Sequence, residues 1–242
     1  MRYDLTKFKH GLEELIITLT DEQIEQFLQY YEMLVEKNKV MNLTGITEYE
    51  EVIQKHFLDS LSLIRVIPDI ASQKLTVIDL GTGAGFPGIP LKIAFPELEI
   101  TLMDSLNKRI LFLQEVIDAL GLKKVSAVHG RAEEMASNAT HRQQYDLCVS
   151  RAVSNLAVLT EYCLPFVKKG GLFVSYKSAD SDAEIQEGKK AISILGGKLT
   201  SVDKFQLPDS DLRRALVCIK KVKDTPKKYP RKAGTPAKLP LK

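Results

Sequence analysis

The sequence has few cysteines and no cluster of metal ligands. Its three cysteines, Cys148, Cys163 and Cys218, lie far apart, without a Cys-x-x-Cys pair or a closely spaced group of histidines. An odd number of scattered thiols predicts neither a disulfide framework nor a zinc site. We therefore expect reduced cysteines and no bound metal.

Long apolar runs are also missing. No stretch approaches the ~18 consecutive apolar residues that a membrane span requires. The first residues, Met1-Arg2-Tyr3-Asp4, lack the apolar segment of a signal peptide. We therefore expect a cytoplasmic protein that has no membrane partner.

The composition that remains is that of an ordinary globular chain. Of 242 residues, 44% are hydrophobic and 27% are charged, so the chain is apolar enough to form a packed core. The formal net charge of +3 is too small to indicate a partner. Its distribution is more informative, because between Lys220 and Lys242 the only acidic residue is Asp224. This end is predicted to be a tail that binds a polyanion and becomes ordered only when bound.

The first part of the chain has the spacing of helices. Capping-box patterns at Thr20 with Gln23 and at Thr47 with Glu50 precede apolar residues spaced by three and four, which predicts two helices. Both apolar faces need a partner surface. The changes of pattern predict three parts, a helical subdomain packed on the core, the core itself and the basic tail, at residues 1–68, 69–222 and 223–242.

From Leu75, short β-branched runs alternate with helical stretches, the pattern of βαβ units and a parallel sheet. Five strands and a final antiparallel pair are predicted, at Leu75–Leu80, Glu99–Met103, Lys124–His129, Tyr145–Ser150, Leu172–Tyr176, Lys198–Gln206 and Arg213–Lys221. The helix after the second strand is predicted to begin at Ser105 and to end at Gly121, a left-handed cap. The predicted fold class is α/β, a seven-stranded Rossmann-like sheet with an N-terminal helical extension.

A glycine-rich turn directly follows the first predicted strand, in the segment Asp79-Leu80-Gly81-Thr82-Gly83-Ala84-Gly85-Phe86-Pro87-Gly88. Ligands of open parallel sheets bind outside the carboxyl ends of the strands, where glycines let a ligand contact the backbone. A dinucleotide fingerprint requires G-x-G-x-x-G, and the sixth position from Gly81 is Phe86, so a dehydrogenase is the least favoured interpretation. The pattern D-x-G-x-G-x-G resembles motif I of the S-adenosylmethionine methyltransferases. The resemblance implies cofactor contacts from this turn, at Asp79, Gly81, Gly83, Gly85 and Phe86.

Two further polar groups follow the next strands. Asp104 ends the second predicted strand, about 20 residues beyond the turn, where a carboxylate can accept hydrogen bonds from ribose hydroxyls. Ala132 and Glu133 follow the third strand, where methyltransferases commonly hold the adenine. Each feature has a purely structural alternative, as a turn, a helix cap or a solvated helix residue. Their order, each after a strand, favours a nucleoside site.

Six segments spread over nearly the whole chain carry a closer resemblance. They are Asn42-Leu43-Thr44, His56-Phe57-Leu58-Asp59-Ser60, the glycine turn, Asp104-Ser105-Leu106-Asn107-Lys108-Arg109, Ser150-Arg151-Ala152-Val153 and Pro230-Arg231-Lys232-Ala233-Gly234-Thr235-Pro236. They resemble the bacterial 16S ribosomal RNA guanine-N7 methyltransferases, also called glucose-inhibited division protein B. The most discriminating element is Phe-Pro-Gly after the glycines. Met41 departs from the aromatic residue that many relatives have, a difference that concerns local packing.

The resemblance implies S-adenosylmethionine as the cofactor and 16S ribosomal RNA or the small ribosomal subunit as the partner. Carried over by position, it implies cofactor contacts at Gly81, Phe86, Ala132, Glu133 and Arg151.

The implied target explains why no catalytic motif is evident. Guanine N7 carries an in-plane lone pair and no proton, so it can attack a sulfonium methyl group without a general base. Alignment of the reactants alone can supply ~7–11 kcal/mol. The sequence lacks the (Asn/Asp)-Pro-Pro-(Tyr/Phe) motif of enzymes that methylate exocyclic amines and the Pro-Cys setting of enzymes that methylate pyrimidine C5.

Two residues are therefore expected to position the reactants. Arg151, after the fourth strand, is predicted to donate to guanine O6 or to phosphate, and its alternative is a surface ion pair. His56 is predicted to contact RNA or the mouth of the cofactor site, and its alternative is a hydrogen-bonded core histidine.

Affinity for RNA is expected to come from phosphate contacts. The residues predicted to bind RNA are Asn42, Lys108, Arg109, Arg131, Lys177, Arg231 and Lys232. The alternative for each charged residue is simple solvation, and for Asn42 it is a turn cap.

Two other functions remain open at this point. One is a methyltransferase that acts on a protein or small molecule, which the basic tail disfavours. The other is a non-catalytic RNA-binding protein of the same fold, which the complete glycine turn disfavours. We expect a monomer.

Overall fold

The computed structural model describes residues 3–151 and 154–241. Ala152 and Val153, which complete one of the segments of the family resemblance, lie outside the described residues. Among the described residues, no helix is both long enough and apolar enough to cross a membrane. The three cysteines are buried free thiols.

Helices form the N-terminal part. They are α1 (Thr6–Glu14), α2 (Asp21–Met41), α3 (Tyr49–Val52), a π-helical stretch (Ile53–Leu58), α4 (Asp59–Leu61) and two short 3-10 stretches (Ser62–Arg65 and Ile70–Ser72). The capping box predicted at Thr20 is confirmed, since Thr20 and Gln23 exchange hydrogen bonds between side chain and backbone. The one predicted at Thr47 is wrong. Helix α3 begins after Glu48, which makes no side-chain cap bond, so the Thr47 hydroxyl does not lie at the cap position.

A seven-stranded sheet forms the centre of the molecule. Its strands are β1 (Thr76–Leu80), β2 (Glu99–Asp104), β3 (Val125–His129), β4 (Tyr145–Arg151), β5 (Val167–Ser178), β6 (Gly197–Gln206) and β7 (Arg213–Lys221). Their spatial order is β3-β2-β1-β4-β5-β7-β6. Strands β1 to β5 pair in parallel, and β7 pairs antiparallel with both β5 and β6. The predicted fold class and the final antiparallel pair are confirmed.

Helices cover both faces of this sheet. They are α5 (Gly88–Ala94), α6 (Asn107–Ala119), α7 (Ala132–Met135), α8 (Leu156–Cys163), a 3-10 stretch (Leu164–Phe166), α9 (Asp182–Ile194) and α10 (Thr235–Lys238). Helix α6 begins two residues later than predicted, because the Asp104 carboxylate accepts the Leu106 amide at 2.9 Å and holds Ser105 outside the helix. Its predicted end is confirmed, since Gly121 has a φ of 62°.

The two faces have separate apolar cores. One joins the N-terminal helices to α5, α6 and the sheet, and the other joins α8 and α9 to the opposite face. The N-terminal helices therefore bury apolar residues both against one another, as at Phe8, Phe27 and Phe57, and against the first face of the sheet. The division at residue 68 remains a prediction.

The order of the strands reverses between β1 and β4. The chain first builds outward from β1 through β2 to β3 and then returns to the other side of β1. In open α/β sheets such a switch point leaves a crevice at the carboxyl ends of the strands, where ligands bind. The glycine turn after β1 and Arg151 at the end of β4 both lie at this edge.

The basic tail packs on the protein. Thr225, Tyr229 and Pro236 are buried, and Arg231 pairs with Glu161 of α8, a partner that the sequence pattern did not reveal. That the tail becomes ordered only on a polyanion stays a prediction.

Candidate active site

Two cavities open at the carboxyl edge of the sheet. The first has a volume of about 430 Å³ and lies at the ends of β1, β2 and β3, against Gly81, Asp104 and Glu133. The second has a volume of about 390 Å³ and lies at the ends of β4 and β5, against His56 and Arg151. Both volumes fall in the range of small-molecule sites, about 300–1,000 Å³.

The turn between β1 and α5 is fixed by the buried carboxyl group of Asp79. Its Oδ2 accepts hydrogen bonds from the Thr82 hydroxyl at 2.6 Å and from the Gly88 amide at 2.8 Å. Burial raises the pKa of Asp79 to about 7, against the opposing effect of these two hydrogen bonds. Asp79 is fully buried and does not line the first cavity. Asp79 therefore stabilises the turn through Thr82 and Gly88 and does not contact the space inside the cavity.

The glycines of this turn adopt a backbone that other residues avoid. Gly81, Gly83 and Gly85 have φ values of 71°, 62° and 110°. At Gly85 a Cβ atom would also lie 2.7 Å from the hydroxyl oxygen of Tyr30, which itself donates to the Ala84 carbonyl at 2.6 Å. Gly81 lines the first cavity, whereas Gly83 and Gly85 determine the path of the chain.

Asp104 lies in the first cavity and links three parts of its wall. Its Oδ2 accepts hydrogen bonds from the Gly83 amide at 3.0 Å and from Arg109 at 3.1 Å, and its Oδ1 accepts from the Leu106 amide. It is only 3% exposed, so this carboxylate is held in one orientation at the cavity surface. Arg109, predicted to bind RNA, is half-buried here beside Asp104.

The opposite wall of the first cavity comes from α7 and its neighbours. Arg131, Ala132 and Glu133 line it, together with Tyr162 of α8 and Gly234 of the tail. The Glu133 Oε1 accepts a hydrogen bond from the Gly234 amide at 2.9 Å. The predicted cofactor residues Gly81, Asp104, Ala132 and Glu133 are therefore brought together around one space.

In the second cavity, Arg151 reaches back to the N-terminal helices. It donates to the Asp59 Oδ2 at 2.9 Å and to the Lys55 carbonyl at 3.1 Å, and its other Nη lies 3.2 Å from the His56 Nδ1. Arg214 of β7 lies 3.3 Å from the other oxygen of Asp59. Two guanidinium groups thus share one buried carboxylate, so these three side chains together carry a net positive charge.

His56 is a neutral hydrogen-bonded ring. Burial, followed by the charge of Arg151, lowers the pKa of His56 to about 3. Its Nδ1 lies 3.2 Å from Nη2 of Arg151, which can only donate, and 3.1 Å from the Lys55 carbonyl oxygen, which can only accept. Its Nε2 forms a hydrogen bond of 2.9 Å with the Thr44 hydroxyl group.

Phe86 lies between the two cavities. Its ring stacks on His56 with centroids 4.4 Å apart, and the Arg151 guanidinium lies 5.1 Å from the ring centroid. Phe86 is 6% exposed and does not line the first cavity, so it joins the glycine turn to the second cavity through packing. Tyr30 of α2 also packs against Phe86, with ring centroids 5.4 Å apart.

The residues predicted to bind RNA fall into two groups. Asn42, Lys108, Arg131 and Lys232 are exposed. Asn42 is also the C-cap of α2, in a left-handed conformation. This is the structural role that the sequence analysis gave as the alternative to RNA binding.

The other residues of that prediction already have ionic partners. Lys177 pairs with Glu184 at 2.6 Å, and Arg231 pairs with Glu161 at 2.7 Å. These side chains have structural partners within the protein, as Arg109 has with Asp104.

Three charged residues of the second cavity, Lys55, Asp59 and Arg214, were missed by sequence reasoning. Asp59 had a usable signal, since it lies three residues after His56 in one of the segments that carry the family resemblance. Lys55 and Arg214 had none. Arg214 is one of several basic residues on a predicted edge pair, and only the folded sheet brings it to Asp59.

The chain matches one family model over most of its length. Residues 23–217 match the family described as "GidB: rRNA small subunit methyltransferase G". The chain belongs to this family. A Ribosomal RNA small subunit methyltransferase G from Lachnoclostridium phytofermentans is 57% identical over 238 residues, which cover 98% of both chains. A protein of the same name from Bacillus licheniformis is 50% identical over 238 residues, covering 98% of this chain and 99% of that one.

Solved structures of lower identity share the fold. A variant 16S rRNA (adenine(1408)-N(1))-methyltransferase from Catenulisporales acidiphilia, solved with its cosubstrate SAM, aligns with a TM-score of 0.51 at 15% identity, covering 67% of this chain and 92% of that one. A precorrin-6y C5,15-methyltransferase from Geobacter metallireducens aligns with a TM-score of 0.50 at 14% identity, covering 66% and 87%. The family expected from the sequence is thus confirmed, as is the S-adenosylmethionine methyltransferase fold.

Proposed function

We propose that this chain transfers a methyl group from S-adenosylmethionine to N7 of a guanine in 16S ribosomal RNA. Membership of the GidB family makes the chain an S-adenosylmethionine-dependent rRNA methyltransferase. The atom that is methylated and the roles of individual residues belong to the proposal. The observation that supports it best is the pair of cavities on either side of the β1–β4 switch point, joined through Phe86.

The first cavity has the groups that a nucleoside with a charged amino-acid tail requires. The carboxylates of Asp104 and Glu133 are acceptors for ribose hydroxyls and for the exocyclic amine of adenine. Leu80 and Met103 supply apolar surface, and Gly81 gives access to the backbone. S-adenosylmethionine would supply the electrophilic methyl group.

The second cavity suits the target base. Guanine presents O6 and N7 as acceptors on one edge. Arg151 is held by Asp59 and Lys55 so that its guanidinium faces the cavity, where it can donate to O6 and leave N7 free. Tyr176 and Ile46 contribute apolar surface to the same cavity.

No group in this arrangement needs to remove a proton. Guanine N7 has none, and a His56 whose pKa is lowered to about 3 is a poor proton acceptor near pH 7. We assign His56 a positioning role: its Nδ1 contacts Arg151 and its ring stacks on Phe86, so that it connects the base-orienting guanidinium to the glycine turn. Catalysis would then come from alignment of the two reactants.

Exposed cations near the first cavity would contact the phosphates of the RNA. Lys108, Arg131 and Lys232 are the candidates, because their charges remain available to solvent. A cytoplasmic location and a monomeric state complete the proposal. A protein or small-molecule substrate is less consistent with a second cavity in which two arginines share one carboxylate.

The test is a transfer assay with methyl-labelled S-adenosylmethionine. The purified chain is incubated with 16S RNA or small subunits from a strain that lacks the corresponding gene, and the RNA is digested and analysed by mass spectrometry. We expect one N7-methylguanine per 16S RNA. Label at another atom would overturn the N7 assignment, and label in ribosomal protein would overturn the RNA substrate.

A further inference from the structure

The C-terminal tail supplies part of the wall of the first cavity. Gly234 lines this cavity beside Glu133 and Tyr162. Its amide donates to the Glu133 Oε1 at 2.9 Å, so the tail holds a carboxylate that belongs to a different part of the chain. Gly234 has a φ of 79°, which lets the chain turn into α10 directly at this contact.

The tail is held in place by a buried ion pair. Glu161 of α8 is fully buried, and its carboxylate receives the Arg231 backbone amide at 2.8 Å, the Arg231 Nε at 2.9 Å and the Arg231 Nη2 at 2.7 Å. The same Nη2 donates to the Leu239 carbonyl at 2.8 Å. Arg231 therefore closes the segment 231–239 on itself and fastens it to α8.

A second arginine fastens the beginning of the tail. Arg142 donates to the carbonyl oxygens of Tyr229 at 2.9 Å and Thr225 at 2.9 Å. It also donates to the carbonyl oxygen of Ala136, which ends α7. The tail is thus joined to both ends of α7, the helix that carries Glu133. The Gly234 amide binds Glu133 near the start of α7, and Arg142 links the carbonyl of Ala136 at its end to the carbonyl of Tyr229.

We propose that Arg231 is a positioning residue for the cofactor: through Glu161 it holds the tail so that the Gly234 amide orients the Glu133 carboxylate. This inference rests on the proposed function, which places S-adenosylmethionine in the first cavity. It replaces the sequence-based prediction that Arg231 contacts RNA phosphate. The Nε and Nη2 of Arg231 donate to Glu161 and Leu239, whereas the neighbouring Lys232 is exposed.

The first test uses the unaltered protein. Hydrogen exchange is measured with and without S-adenosylmethionine, because a ligand that depends on the tail must in turn stabilise it. We expect slower exchange at residues 130–135 and also at 231–239. Protection of 130–135 without protection of the tail would overturn the inference alone. Protection of neither segment would overturn the placement of the cofactor in this cavity.

The second test removes the ion pair without leaving a buried charge. The double variant Glu161→Met with Arg231→Met replaces both partners by apolar side chains of similar length, an exchange that proteins often tolerate. Its control is Lys232→Ala, in the adjacent exposed position. Calorimetry measures the dissociation constant of S-adenosylmethionine, and filter binding measures that of 16S RNA. A thermal melt of both variants establishes folding.

The double variant is expected to bind S-adenosylmethionine about tenfold more weakly, the effect of about one hydrogen bond to a charged group. Its affinity for RNA should stay within about twofold of the unaltered protein, because the Nε and Nη2 of Arg231 donate to Glu161 and Leu239 and not to RNA. Lys232→Ala should weaken RNA binding and leave cofactor binding unchanged. Weakened RNA binding with unchanged cofactor binding in a folded double variant would overturn the proposal.

Discussion

The two cavities at the carboxyl edge of the sheet are built in different ways. The first is made largely from turns and strand ends that follow one another along the chain, at Gly81, Asp104 and Glu133. The second is made from side chains that arrive from separate regions, at Asp59, Arg151 and Arg214. A backbone site of the first kind leaves a local pattern in the sequence, and a side-chain site of the second kind does not.

The electrostatics of the two cavities also differ. Behind the first, the buried carboxyl group of Asp79 has its pKa raised to about 7 by burial. In the second, burial and Arg151 lower the pKa of His56 to about 3. Each group is thereby favoured in its neutral form, although one is an acid and the other a base. Among the cations of the second cavity, Arg151 at the end of β4 is the group best suited to orient a base with acceptor atoms.

The largest effect is expected from the turn of the first cavity. In Gly85→Ala a methyl group would meet Tyr30 and Ile89 at 2.7 Å each, on a backbone with a φ of 110°. The strain and the overpacking together should lower the free energy of unfolding by roughly 2–5 kcal/mol and abolish cofactor binding.

The matched control for this turn is Gly121→Ala, where φ is 62° and no atom lies within 4 Å of the added methyl group. It should cost only about 1–2 kcal/mol and leave cofactor binding intact. Urea unfolding and calorimetry with S-adenosylmethionine measure both quantities. Equal losses in the two variants would show that the close contact with Tyr30 does not matter.

The next effect concerns the second cavity. Arg151→Ala should reduce the rate of methyl transfer by about 100-fold, because the base loses the donor that aligns it. Cofactor affinity should change by less than about tenfold, the value of one charged hydrogen bond. Single-turnover transfer to 16S RNA and calorimetry measure the two separately.

Arg214→Ala serves as the control, since it removes the other cation near Asp59. Its transfer rate should stay within about fivefold of the unaltered protein. A rate of Arg151→Ala that matched this control would remove Arg151 from the mechanism.

The shifted pKa values of Asp79 and His56 predict opposite dependences of the free energy of unfolding on pH. Between about pH 4 and 7, Asp79 is protonated in the folded chain and ionised in the unfolded chain, so it lowers the free energy of unfolding as pH rises. Between about pH 3 and 6.5, His56 is neutral in the folded chain and protonated in the unfolded chain, so it raises this free energy as pH rises. The two contributions oppose one another where the windows overlap.

Single variants should therefore separate these contributions. Relative to the unaltered protein, Asp79→Asn should gain stability from pH 4.5 to 6, and His56→Gln should lose stability over the same range. Each slope should change by about 1 kcal/mol per pH unit. Urea unfolding at a series of pH values gives the slopes. Parallel curves for all three proteins would contradict the protonation states assigned here.

The smallest effect belongs to the exposed rim. Lys108→Ala should weaken RNA binding by a few-fold and reduce the salt dependence of the binding constant by about one unit of slope. Lys177→Ala should leave that slope unchanged, because Lys177 is already paired with Glu184 and the carbonyl of Ser154. Titrations of RNA at several salt concentrations test both. A smaller slope for Lys177→Ala would show that this pair opens on RNA.

The family, the fold and the first cavity were accessible from the sequence to different degrees. Six of the seven strands were predicted to within one residue at each end, since buried strands and their turns are local features. Strand β5 begins five residues before the predicted Leu172 and ends two residues after the predicted Tyr176. The capping box at Thr20 was confirmed and that at Thr47 was wrong, because a cap pattern does not determine which residue begins the helix. The sequence predicted that the N-terminal helices need a partner surface. It did not predict that the Tyr30 hydroxyl donates a hydrogen bond to the Ala84 carbonyl in the glycine turn.

The sequence alone determined the strands, the glycine turn and the family, because each is recognised from patterns of residues that are neighbours along the chain. Only the tertiary structure decided which charges are available. Arg151 meets Asp59 across 92 positions, and Arg231 meets Glu161 across 70. Which cation pairs with a buried carboxylate depends on their distance in the folded structure, and no local sequence pattern indicates it. For this reason Arg231, which looked like an RNA contact in the sequence, became a support for the wall of the first cavity.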